Sequence, residues 1–95
     1  MFKIETTSNF RKRYRKLVSK NLNIKNKIIK TIEVLRKDPR YPSLKTHKIY
    51  TSEFGDVFSS FVTGDIRIIW TKIKDEFVLL LLDIGRHSGK HSVYD

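Results

Sequence analysis

Cysteine is absent from the 95-residue chain, and proline and glycine are scarce, at two and four residues. Without Cys there is no disulfide framework and no thiolate metal site, so packing must hold the fold together. No apolar run exceeds Phe77–Leu82, which is far too short to cross a bilayer. The opening MFKIETTSNF lacks a basic stretch followed by an apolar one, so it does not read as a secretory signal. Acidic residues are few where basic ones abound. Residues 1–48 hold fifteen Lys/Arg against three Asp/Glu, and residues 49–95 hold five against seven, within a net charge of +10.

What is present suffices for one core. At 39% hydrophobic and 12% aromatic residues, wholesale disorder is excluded, and the length fits a single domain over residues 1–95. The expectation is a small cytoplasmic domain with no membrane association. Its basic half suits a polyanion or an acidic protein partner, although a solvated basic helix face would look the same.

The apolar pattern gives the order of elements. Phe2–Glu5 alternates as a short strand, and Thr6–Asn9 offers helix caps. Phe10, Tyr14, Leu17 and Val18 recur at helical spacing, with basic residues over the remaining surface. Asn21-Leu22-Asn23 interrupts, with Asn23 as the expected cap of a second helix. That helix carries Ile24, Ile28, Ile32 and Leu35 on one stripe and stops near Lys37, because Asp38 precedes Pro39. The short link predicts an antiparallel helical hairpin. Tyr41–Ser43 reads as a loop. Four strands then follow, His47–Tyr50, Val57–Val62, Ile66–Ile73 and Phe77–Ile84, with turns at Phe54–Asp56, Thr63–Asp65 and Lys74–Glu76. Leu79–Leu82 is apolar on both faces and belongs in a central strand. The fold class is α+β: an N-terminal strand and an α-helical hairpin packed on a four- to five-stranded, mainly antiparallel sheet. Its other face is left exposed for a site.

All three histidines fall in two polar segments, Lys45-Thr46-His47-Lys48 and Gly85–His91. Histidine is the side chain best poised for proton transfer near neutral pH. Arg67 is a charge within an apolar strand, either functional or a snorkelling edge residue. Tyr94 is either a stacking ring for a base or a residue packing the tail onto the sheet. His87 and His91 have a helical metal-ligand spacing, but Gly89 argues against a helix and no acidic motif accompanies them. No Gly-rich phosphate loop or nucleophile elbow occurs. The remaining His/Arg/Lys/Tyr set suits RNA cleavage without a metal or other cofactor. A base takes the ribose 2′-OH proton, a cation holds the developing phosphorane charge, and an acid protonates the leaving 5′-oxygen.

Three segments carry a resemblance: Asp38-Pro39 with Pro42–Lys48, the strand Asp65–Trp70, and Leu81–His87. In their order and spacing they resemble the RelE/ParE toxin superfamily, nearest to its RelE/StbE and YafQ-like branch of type II toxin–antitoxin systems. The resemblance covers nearly the whole chain. It implies a ribosome-dependent mRNA endonuclease that inhibits translation, neutralised by a cognate antitoxin wrapped over its basic surface. By position, it implies His87 as general acid or base, Arg67 as phosphate contact, His47 as a second proton-transfer group, and Asp65 as the acid that opens its strand. Tyr94 or His91 takes the base-stacking place. Lys45, Lys48, Arg86 and Lys90, with Arg11, Lys12 and Arg15 on the first helix, are the expected RNA contacts. The strand Val57–Val62 departs from the pattern, since relatives often carry a charge there. The alternatives are a ParE-like gyrase inhibitor, or a catalytically weak toxin that only binds its antitoxin.

Overall fold

The computed structural model describes residues 1–87. Strand β1 (Lys3–Thr6) leads into helices α1 (Ser8–Val18) and α2 (Leu22–Lys37), then a single 3-10 turn at Pro42–Leu44. Strands β2 (His47–Thr51), β3 (Gly55–Phe61), β4 (Ile66–Lys72) and β5 (Val78–Arg86) complete the sheet. Its order is β1-β5-β4-β3-β2, with β1 parallel to β5 and every other pair antiparallel.

Local chemistry sets the helix ends. Thr7 caps α1, its Oγ1 accepting the Phe10 N–H at 3.0 Å. Asn21 caps α2 by accepting the Ile24 N–H at 3.1 Å. The sequence pattern favoured Asn23 for this role. Asn21 takes it because its extended backbone sets its side chain three residues ahead of that N–H, whereas Asn23 is already helical. Asp38 is extended, as a residue before proline should be, and closes α2 with its N–H on Val34 O. The segment read as a loop after Tyr41 holds the 3-10 turn, with Leu44 buried at its end.

Both helices cover one sheet face. Phe10, Ile28 and Leu35 pack there on Ile66, Ile68, Trp70, Leu79, Leu81 and Ile84. Trp70 stacks on Phe58 and donates its Nε1–H to Ser60 Oγ at 2.8 Å. The opposite face is not bare, as the pattern had suggested. Val57, Ile69 and Leu82 form a second apolar cluster there, packed against Ile49, Phe54 and Leu80.

A bulge in β5 decides what the end of that strand presents. Ile69 pairs with Asp83 but Trp70 pairs with Leu81, so Leu82 is the extra residue. Before it Leu79 and Leu81 face the helices; after it Ile84 does. Gly85 therefore lies opposite Arg67, on the face away from the helices. The unpaired edge beside the bulge is fastened to α1. Leu82 O accepts from Thr7 Oγ1 at 3.0 Å and from Asn9 Nδ2 at 3.2 Å, and Asp83 pairs with Arg13 at 2.9 Å.

Candidate nucleic-acid cleavage site

The register lays three rows across the face away from the helices. His47, Ser59, Ile69 and Asp83 pair in one row. Phe61, Arg67 and Gly85 pair in the next, with Lys45 reaching it from the β2 side. In the third row the His87 N–H donates to Asp65 O at 2.6 Å, continuing the ladder. Gly85, itself buried, adds no side chain beside Arg67.

Arg67 is only 5% exposed. It sits on β4, an interior strand, and so is neither edge-exposed nor snorkelling. Burying a guanidinium is costly unless its charge is answered. Nη1 donates to Thr63 O at 2.8 Å and to Gly64 O at 3.0 Å, and Cζ lies 3.4 Å from the Phe61 ring centroid. Nε is buried with no hydrogen-bond partner among the described residues. Among the described residues no carboxylate is hydrogen-bonded to the guanidinium, and the nearby Asp65 carboxylate, which feels its charge, offsets only part of the positive field. Lys45 adds to that field: its Nζ lies 5.3 Å from the same ring. Its left-handed backbone (φ 46°) at the end of the 3-10 turn directs it there.

Phe61 is the residue the sequence pattern did not single out. The uncharged β3 strand supplies an aromatic ring within reach of two cations instead. Only the pairing of Phe61 with Arg67 makes this legible, and pairing is fixed by the fold.

Asp65 organises the end of β5. Its Oδ2 accepts from Arg86 Nη1 at 2.6 Å, and its Oδ1 lies 3.3 Å from the His87 N–H. The Arg86 hydrogen bond outweighs the opposing effect of burial and, with the His87 N–H and the charges of Arg86 and Arg67 adding to it, holds the carboxyl below the ordinary aspartate range. Thr63 Oγ1 accepts both the Asp65 and Ile66 N–H groups, which fixes the turn. His87 is exposed, with its backbone pinned by these bonds.

His47 is exposed, and its Nδ1 lies 3.1 Å from Lys45 O. A carbonyl only accepts, so Nδ1 is the donor in this contact. Yet His47 is three strands and two rows from His87. On a flat sheet that is about 14 Å across and about 13 Å along, a diagonal of about 19 Å between Cα positions. Arg67 is about 8 Å from His87 by the same measure and about 12 Å from His47.

The other expected RNA contacts divide. Lys48 pairs with Phe58, on the helix side of the sheet, and so is not brought to this row. Arg11, Lys12 and Arg15 are exposed on α1, with Arg11 Nη1 held by Thr6 O at 2.7 Å. Lys90, His91 and Tyr94 lie outside the described residues. Among the described residues no three metal-ligating side chains converge, and no helix is long and apolar enough to cross a membrane.

Two helices on one face of a mostly antiparallel sheet, with a row of cations at the end of the other face, define a RelE-like toxin fold. A metal-bound toxin from Helicobacter pylori superposes with a TM-score of 0.74 at 26% identity, over 92% of this chain and 96% of that one. The YafQ of the Escherichia coli DinJ–YafQ complex matches at 0.68 and 24% identity, over 92% and 94%. The archaeal RelE–RelB complex from Pyrococcus horikoshii OT3 matches at 0.72 and 13%, over 94% and 98%, a likeness of fold. No curated protein matches in sequence. The family model described as the bacterial toxin of type II toxin–antitoxin systems, YafQ, matches residues 2–90, and the chain belongs to that family.

Proposed function

We propose that this toxin is a ribosome-dependent endoribonuclease that cuts mRNA in the cytoplasm and so stops translation. The observation that carries the reading is Arg67: a buried cation with no carboxylate partner among the described residues, stacked on Phe61, beside Gly85 and one row from His87. Such a charge favours a dianionic phosphorane over a monoanionic phosphodiester, which is the differential stabilisation catalysis requires. Arg67 acts from beneath as a fixed charge, and the exposed Lys45 makes the direct phosphate contact. This revises the direct contact first expected of Arg67, because its Nη1 is held by the 63–64 turn.

In this mechanism the ribose 2′-oxygen attacks phosphorus while its proton leaves to solvent. His87 protonates the departing 5′-oxygen, giving a 2′,3′-cyclic phosphate and a 5′-hydroxyl. Asp65 positions His87 through its backbone N–H and holds Arg86 beside it. His47, on the far diagonal, serves the neighbouring nucleotide rather than a second proton transfer at the same bond. Lys45, Arg86 and the basic face of α1 bind the RNA backbone, with Arg11, Lys12 and Arg15 toward the ribosome. The segment carrying Lys90, His91 and Tyr94 supplies the stacking ring.

A cognate antitoxin is the expected protein partner. YafQ and RelE-type toxins of similar fold occur in complexes with DinJ and RelB, and a basic surface suits an acidic or amphipathic wrapping segment. The test is induction in growing cells. Cut mRNAs with unchanged DNA supercoiling support the nuclease; intact mRNA with trapped gyrase and a DNA-damage response would replace it with gyrase inhibition.

A further inference from the structure

A second basic and aromatic surface lies on the helix side of the molecule, away from the Arg67 row. A groove of about 550 Å³ runs between the end of α2 and the connection that follows it, lined by Lys30, Val34, Lys37, Asp38, Tyr41 and Ser43. Lys30, Val34 and Lys37 are spaced four and three residues apart, so they share one face of α2. The helical rise sets the two lysines about 10 Å apart along the axis. Asp38 is the only carboxylate in the lining among the described residues, and its Oδ1 already accepts the Arg40 N–H at 3.0 Å.

Tyr41 is half exposed, and its backbone is held on both sides. Its N–H donates to Asp38 O and its carbonyl accepts the Leu44 N–H, both at 3.0 Å. The chain's two prolines, Pro39 and Pro42, bracket it and fix φ on either side. Leu44, 2% exposed, anchors the far end in the core. The ring is thus presented by a stiff backbone beside two cations, the combination of stacking surface and basic track that binds single-stranded nucleic acid. An acidic peptide would satisfy the lysines equally but would leave the ring face without a π partner.

We propose that this groove binds a nucleotide of single-stranded RNA, with its base stacked on Tyr41 and its flanking phosphates on Lys30 and Lys37. The inference rests on the reading of the chain as an RNA-directed toxin, but the surface is separate from the cleavage row. It gives the protein a second RNA contact that cuts nothing and holds the molecule in place.

The test titrates the isotopically labelled full chain with a 2′-O-methylated RNA octanucleotide, which cannot be cleaved, and separately with an oligoglutamate of matched charge. Expected are amide shifts at Lys30, Lys37, Tyr41 and Ser43 with the oligonucleotide, and a roughly 5- to 100-fold loss of affinity in Tyr41→Ala at unchanged thermal melting. Lys30→Gln with Lys37→Gln should lower the salt slope of binding by about 1.4 units. On ribosomes, Tyr41→Ala should weaken binding. Equal loss on vacant and programmed particles assigns the nucleotide to ribosomal RNA, and loss only on programmed ones assigns it to the message. Shifts confined to the Arg67 row, wild-type affinity in Tyr41→Ala, or tighter binding of oligoglutamate in the groove would overturn the proposal. The octanucleotide titration needs no cleavage, so a chain that fails to cut mRNA would defeat the functional reading and leave this result standing on its own.

Discussion

The guanidinium carbon of buried Arg67 lies 3.4 Å from the centre of the half-buried Phe61 ring. A partly desolvated cation–π contact of this kind contributes about 1–2 kcal/mol. Phe61→Leu keeps an apolar side chain but removes the ring face, and should cost about 1–2 kcal/mol in urea unfolding. The same change should lower cleavage, because Arg67 and Lys45 lose their shared plate. Unchanged stability in Phe61→Leu would show that the ring contributes only bulk.

The two perturbed acids on this side of the sheet give opposite pH dependences. Asp65 titrates below its ordinary range when folded, owing to Arg86 first. Its contribution to stability is therefore present above its unfolded pKa, about 3.9, and is lost as pH falls through the folded value. Asp83 is pushed up by burial, which outweighs the Arg13 charge 2.9 Å away. Its contribution is greatest at low pH and declines as pH rises from about 3.9 through the folded value. Chemical denaturation of Asp65→Asn and Asp83→Asn between pH 3 and 7, spanning roughly the carboxylate range, should show difference curves of opposite slope. Parallel curves would contradict this assignment.

Thr7 joins three elements at once, capping α1 and donating to the bulged carbonyl of β5. Thr7→Ala should cost about 1–2 kcal/mol. Urea titration would show it as a lower midpoint at unchanged slope. Because that bond steadies the strand that leads into His87, cleavage should fall by more than in Ser8→Ala, a change at an exposed neighbour.

Much of this architecture is readable in the residues. Apolar spacing on α1 and α2 and the Thr63-Gly64-Asp65 and Lys74-Asp75-Glu76 turns fix the hairpin and the antiparallel strands. The β5 bulge leaves no trace, because Leu79–Leu82 is apolar throughout and a one-residue shift changes no polarity. That shift nevertheless decides which face Gly85 and the residues after it present. The candidate site was legible as residue types and illegible as geometry. His47 and His87 look equivalent in sequence, and only the register separates them by about 19 Å. Arg67 reads as either a functional charge or a snorkelling edge residue until Phe61 is found opposite it.

That separation makes a kinetic distinction. If His47 serves a neighbouring nucleotide as proposed, His47→Gln should raise KM for programmed ribosomes and leave kcat nearly intact. An equal fall in kcat for His47→Gln and His87→Gln would place both rings at the reacting bond.

The most direct measurement is single-turnover cleavage of mRNA on programmed ribosomes by wild type and His87→Gln, with thermal melting as the control for folding. If His87 protonates the leaving oxygen, the variant should melt and bind as wild type does and cleave about two to four orders of magnitude more slowly. Equal cleavage by the two proteins would contradict the account.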